Sequence, residues 1–275
     1  MPEIDLSDKS KNTHSENAQN AQSVFVRLWN GFLLTVAMPH FYRIFSPWVK
    51  WLSIIAMVLL AIGSVWGLAI APPDYLQGNS YRIIFIHVPT ASLALSIYLG
   101  LAVLGVISLV WKVKTAAVVA QAAAPVGLVL CVLSLITGAI WGKPTWGAYW
   151  VWDGRLTSML VLAFLYVGVV ALFHAFENTA QQGKAAAILS IVGAVNLPII
   201  KYSVVWWNTL HQGSTFSLTT APQMPPSMYL PLLVMIFGFY FMVAALVIYR
   251  SCTIILVRER QKTWLKALIA ARTMQ

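Results

Sequence analysis

Residues 117–140 read Ala117-Val-Val-Ala-Gln-Ala-Ala-Ala-Pro125-Val-Gly-Leu-Val-Leu-Cys131-Val-Leu-Ser-Leu-Ile-Thr-Gly-Ala-Ile140. They run without a break into Trp141-Gly-Lys-Pro-Thr-Trp146-Gly-Ala-Tyr-Trp150-Val-Trp152-Asp153-Gly-Arg155. The first part carries no charge and is long enough to cross a bilayer, which takes about 20 apolar residues in a helix. The second part changes character at once. It holds four of the 12 Trp of the chain, a Gly directly after each of the first two, and an Asp and an Arg at its end. Large flat rings, bare backbone and a pair of charges at the mouth of a membrane span suit a flat, mostly apolar ligand with an ionic edge.

Working outward, the whole chain fits that beginning. Of 275 residues, 59% are hydrophobic and only 9% charged, against about 25% charged in a soluble domain. Five further apolar windows accompany 117–140: about 51–70, 83–110, 156–176, 185–205 and 229–250. The expected fold is an all-α integral membrane protein, a bundle of six transmembrane helices over residues 47–252. The window 83–110 is long for one span, so Pro89 is expected to kink it, or it enters at a tilt. The later half of 185–205, with Asn196, Pro198 and Lys201, is the least regular.

The net charge of +10 reads as topology rather than as a nucleic-acid site. With the N-terminus cytoplasmic, 14 of the 18 basic residues fall on inner segments, and only Arg82, Lys143, Arg155 and Lys201 fall outside. Lys and Arg mark the cytoplasmic side, so both termini are expected inside and the functional loops, about 71–82, 141–155 and 206–228, on the outer face. Residues 1–23 are polar and mixed in charge, as in a disordered cytoplasmic tail. Their acids do not suit a transit peptide, and nothing there reads as a cleavable signal. Residues 24–46 mix apolar and basic residues like an interfacial amphipathic segment. Residues 253–275 form a basic cytoplasmic tail attracted to membrane lipid.

Cys131 and Cys252 lie far apart in apolar runs and read as buried thiols. No C-x-x-C pair, covalent haem-attachment motif, nucleotide-binding loop or hydrolase signature occurs, so no enzyme is indicated.

Three groups of residues are candidates for a site. The Trp run comes first; its alternative is an aromatic belt at the membrane interface, which needs no Gly beside its Trp and no closing Asp-Gly-Arg. In helical geometry Trp146 and Trp150 share one face, and Trp141 and Trp152 the opposite one. Pro144 disfavours an unbroken helix from Trp141, so a loop leading into a short helix is expected, with Gly142 and Gly147 admitting a plate or a neighbouring backbone. His87 and His211 come second. Each lies near the outer face among apolar or aromatic neighbours. Val88 before Pro89 biases the His87 region toward an irregular end. A lone His is usually structural, but a pair of neutral imidazoles can fill both axial positions of haem iron. His40 reads as a solvated surface residue, His174 as structural, and His14 lies in the tail. Met224 and Met228 could ligate iron through sulfur but fit packing better. The charges come third. Arg82, five residues before His87, is either a partner for a haem propionate or a snorkelling interfacial cation. Arg155 and Lys143 are further cations. Asp153 orients Arg155 or an indole N–H, or meets a partner protein.

The Trp-Gly, Trp-Gly, Trp-x-Trp-Asp series from Trp141 to Asp153 resembles the Trp-rich WWD signature of haem-handling membrane proteins. With His87 before it and His211 after it, the chain is most similar to the cytochrome c maturation protein C family, also called haem exporter protein C, over about residues 45–250. The resemblance implies non-covalent haem b at the periplasmic face of a bacterial inner membrane. It makes His87 and His211 the iron ligands and gives the platform to Trp141, Trp146, Trp150, Trp152 and Asp153, with Arg82 and Arg155 at matching arginine positions. It implies delivery of haem to a periplasmic chaperone, maturation protein E, for c-type cytochrome biogenesis. Further implied partners are a small single-span protein, maturation protein D, and an ABC transporter of maturation proteins A and B. The alternatives are a haem translocator, a haem lyase subunit, which is usually longer with more spans, and a structural membrane subunit without ligand.

Overall fold

The computed structural model describes residues 37–207 and 224–273. The tail 1–23, most of the segment 24–46, and His211 with its loop lie outside the described residues. Six helical segments are long and apolar enough to cross a membrane: Trp48–Ile70, Asn79–Val110, Lys114–Trp146, Gly154–Leu172, Thr179–Trp206 and Pro226–Arg258. Each coincides with one of the apolar windows, and no strand occurs among the described residues. The protein is an all-α, multi-pass membrane bundle.

In chain order the elements are α1 (Met38–Phe45), α2 (Trp48–Ser64), α3 (Ile84–Val110), α4 (Lys114–Trp146), α5 (Gly154–Leu172), α6 (Thr179–Gly193), α7 (Asn196–Trp206), α8 (Pro226–Arg258) and α9 (Thr263–Thr273). A π-helical turn, Val65–Ile70, ends the first span, and a 3-10 turn, Asn79–Ile83, opens the second. Helix α3 packs on α4, α6 and α8; α2 lies against α8, and α5 against α4, α6 and α7. Lipid tails are as apolar as Leu, so burial from water does not drive these contacts; close packing and interhelical hydrogen bonds do. Accordingly α4 buries Ala116, Ala120, Ala122, Ala123 and Ala124, and the buried Tyr166 hydroxyl of α5 donates to the Ala94 carbonyl of α3 at 2.7 Å. Large apolar side chains such as Met57 and Phe164 stand 70% and 67% exposed on the outside of the bundle, where acyl chains would cover them.

Six crossings return the chain to the side from which it started. There, Tyr42 of α1 packs with Val118, Cys252 and Ile255, and Trp264 and Leu268 of α9 close over them. The Trp264 indole N–H donates to the Glu259 carboxylate at 2.7 Å. Both Cys are buried and unpaired, as expected. The opposite end gathers the ends of α2, α4 and α7, the starts of α3, α5 and α8, and the whole Trp run.

Two local expectations need correction, and a third is given its geometry. Helix α3 runs unbroken through Pro89, so His87 projects from a regular first turn and not from an irregular end. Proline removes one i→i−4 bond there, and the Thr90 hydroxyl bonds the neighbouring Ile86 carbonyl at 2.8 Å. Helix α4 likewise continues through Pro144 to Trp146. The loop comes after it, at 147–153, so the order of loop and helix is the reverse of that expected, and the facing of rings by helical spacing does not apply past Trp146. The fifth span is broken between α6 and α7, next to Pro198, whose missing N–H leaves the Ala194 carbonyl to the Leu197 N–H at 3.0 Å. The Asn196 amide bridges to the Ser158 carbonyl at 2.9 Å across that break.

Candidate haem site

At the Trp-bearing end, residues of α3, α4, α5 and α7 line a cavity. Its walls are mainly apolar, with Leu95, Leu135, Met159 and Ile200 below and Trp141, Trp146 and Trp150 around the rim. His87, Gln77 and Arg155 supply most of its polar chemistry.

The His87 ring is fixed from α4. Its Nδ1 lies 3.1 Å from Thr137 Oγ1. That hydroxyl also meets the carbonyls of Leu133 at 2.8 Å and Ser134 at 3.2 Å. A hydroxyl has one proton, and the carbonyls can only accept it. With that proton on a carbonyl, Thr137 accepts from His87 Nδ1–H, the tautomer that puts the lone pair on Nε2, as a metal ligand requires. Close approach of the ring to α4 needs Gly138, where a Cβ would sit 2.9 Å from His87 Cε1. On the other side Trp141 meets the imidazole edge-on, with ring centroids 5.7 Å apart at 73°. The Trp141 indole N–H donates to Gln77 Oε1 at 2.8 Å.

Helix α4 ends at Gly147, whose φ of +80° is the left-handed cap that glycine adopts without penalty. Its N–H returns to the Lys143 carbonyl at 3.0 Å. Lys143 Nζ donates to the Gly147 carbonyl at 3.0 Å and stands over the Tyr149 ring at 5.4 Å, so this cation serves the helix end and does not line the cavity. Beyond the cap the chain carries Trp150 to the rim and Trp152 away from it. Trp152 is 74% exposed and meets Trp150 edge-on at 5.4 Å.

Asp153 caps α5, its Oδ1 accepting from the Leu156 N–H at 2.7 Å. Sequence reading did not foresee that role, although an Asp three residues before the first apolar helix positions is its usual signal. Asp153 Oδ2 and Trp150 Nε1 are buried and find no hydrogen-bond partner among the described residues. Asp153, Trp152 and Trp207 line a second cleft on the far side of the run.

Arg155, in the first turn of α5, lines the main cavity, and no hydrogen bond or salt bridge among the described residues engages its guanidinium. Arg82 does not line it. The Arg82 guanidinium donates to the Leu68 carbonyl and, at 2.7 Å, to the Ala71 carbonyl, while Nε reaches Asn79 at 3.2 Å. It thereby satisfies carbonyls left over at the end of the first span. Met228 is buried and Met224 half-buried against the core, in keeping with packing roles. His40 and His174 are exposed, the latter with Nδ1 2.9 Å from the Val170 carbonyl.

The structure thus brings together His87, Trp141, Trp146, Trp150 and Arg155, and leaves Trp152, Asp153 and Arg82 outside the cavity. Thr137, Gly138 and Gln77 are additions that no motif announces. An imidazole, indole walls and a guanidinium that makes no salt bridge among the described residues fit a flat metalloporphyrin with acidic substituents.

The sequence matches the family described as heme exporter protein C over residues 32–266. It is 48% identical over 245 residues to heme exporter protein C of Escherichia coli K12, covering 89% of this chain and 99% of that protein. The proteins of the same name from Haemophilus influenzae and Paracoccus denitrificans are 46% and 39% identical, over 82% and 84% of this chain and 92% and 93% of theirs.

Proposed function

Because the chain belongs to the heme exporter protein C family, we propose that it binds haem b non-covalently at the outer face of a bacterial inner membrane and hands it to a periplasmic chaperone for c-type cytochrome biogenesis. The observation that carries this reading is the single cavity wall formed by His87, Trp141, Trp146, Trp150 and Arg155. His87 offers its Nε2 to the iron, and His211, from the last outer loop, supplies the second imidazole. The three indoles pack against the macrocycle. Arg155 faces a propionate, since a guanidinium matches a carboxylate in charge and geometry. Arg82 acts one step back, holding the first outer loop in place.

Trp152 and Asp153 stand on the other side of the run, where a chaperone of the maturation protein E type would dock. The small single-span maturation protein D assists, and the ABC transporter of maturation proteins A and B drives release of the loaded chaperone. The chain itself binds and presents. A handover assay tests this reading: haem-loaded protein in nanodiscs is mixed with the soluble domain of the chaperone. Transfer of the Soret band to the chaperone is expected, and Trp152→Ala should slow that transfer while leaving haem binding intact. No transfer under any redox condition would remove the delivery function.

Transport of haem across the bundle is the second reading, favoured by the word exporter in the relatives' name. The cavity opens among elements of one end only, which supports display over passage. Accumulation of haem inside vesicles reconstituted with this protein alone would reverse the order.

A further inference from the structure

The first outer loop, 71–78, is built more tightly than a connector requires. The Asp74 and Gly78 backbones exchange both hydrogen bonds, at 3.0 and 2.9 Å. Asp74 Oδ1 accepts from the N–H groups of Leu76 and Gln77 at 2.9 and 2.8 Å. The Ser80 hydroxyl donates to the Gln77 carbonyl at 2.7 Å. Gly78 takes a φ of +57°, and Arg82 ties down Ala71. Yet the apolar residues at the tip, Tyr75 and Leu76, are 90% and 77% exposed. The loop does not exist to bury them. What it delivers to the cavity is Gln77.

We propose that Gln77 orients the ligand of this cavity in two ways: its Oε1 pins the Trp141 indole beside His87, and its Nε2 donates to the acidic edge of the bound ring. The inference rests on the haem reading above. An indole nitrogen only donates, so the 2.8 Å contact to Trp141 fixes Oε1 toward the ring and Nε2 away from it. No hydrogen bond among the described residues engages Nε2, and Gln77 lines the cavity. The amide therefore leaves two N–H donors at a site whose proposed ligand carries two carboxylates. Arg155 supplies charge, and Gln77 supplies neutral donors on the opposing loop. Thr137, His87, Trp141 and Gln77 then form one chain of contacts from α4, through the iron ligand, to the first outer loop.

Glu at position 77 separates the two roles. It keeps an oxygen for the Trp141 N–H but replaces the donors by a negative charge. The full-length protein in detergent would be titrated with haem and with haem dimethyl ester, as wild type, Gln77→Glu, Gln77→Leu and His87→Ala. Gln77→Glu should weaken haem binding about tenfold, the scale of a lost charge-assisted hydrogen bond, and leave the diester nearly unaffected. Gln77→Leu should weaken both ligands about fivefold, because Trp141 loses its anchor. Wild-type haem affinity in Gln77→Glu, or an equal loss for haem and diester, would overturn the donor role. An unchanged Gln77→Leu would overturn the pinning role. His87→Ala is the separate control: loss of its Soret band with a silent position 77 sinks only the present inference, whereas an unchanged His87→Ala spectrum sinks the haem reading beneath it.

Discussion

Val at position 137 would keep the volume of Thr and delete the oxygen that receives the His87 Nδ1 proton. Loss of such an orienting partner lowers metal affinity about 10–100-fold. Gly138 and Trp141 also confine the ring, so the low end is expected, with Thr137→Ser restoring wild-type binding; equal Soret titrations for all three would refute the orienting role. Gly138→Ala puts a methyl 2.9 Å from the ring. It should cost about 1–3 kcal/mol in thermal unfolding and shift the Soret band, and a variant as stable and as coloured as wild type would show that the contact is slack. Neither residue was legible in the sequence. Thr137 sits inside an apolar window, 50 positions from His87, and Gln77 is 64 positions from Trp141. Their meaning arises only when helices bring them together. Arg155 was legible because it closes the Trp run in sequence as well as in space.

At the scale of the element, the difference between Pro144 and Gly147 is instructive. Proline removes one donor, the one that would bond the Ile140 carbonyl, and the helix still closes its last turn with the Gly147 N–H on the Lys143 carbonyl. Glycine in the left-handed region turns the chain out of the helix and ends it. The sequence contains both residues but does not rank them, which is why the helix end was expected before Trp146 and lies after it. The next start follows from Asp153. Asp153→Ala should destabilise the protein by about 1 kcal/mol through the lost cap, and Asp153→Asn, which keeps the accepting oxygen, by much less; equal melting temperatures for the two would argue against a capping role. Arg82 belongs to this scale too. Arg82→Gln should lower stability by about 1–3 kcal/mol through unpaired carbonyls and leave the Soret position unchanged. A stable variant with altered haem binding would return Arg82 to the ligand.

For the whole molecule, the six spans were legible almost entirely, since length and apolarity are what a bilayer demands. Helices α4 and α8 have 33 residues each, about 50 Å at about 1.5 Å per residue, against a hydrocarbon core of about 30 Å. The excess lifts helix ends out of the core, and α4 carries Trp141 and Trp146 at such an end. The proposed sidedness rests on the distribution of basic residues. With both native Cys buried, a cysteine at exposed Tyr149 should react with an impermeant maleimide on intact spheroplasts, and one at exposed Glu177 only after lysis. The reverse pattern would turn the site to the cytoplasm and end the chaperone reading.

The most direct test of the haem site is the absorption spectrum of the purified protein, wild type beside His87→Ala and His211→Ala. The account predicts a Soret band in the wild type that is shifted or lost in each variant, as two axial imidazoles require. A spectrum that neither substitution changes would contradict it, and the cavity under the Trp run would then need another ligand.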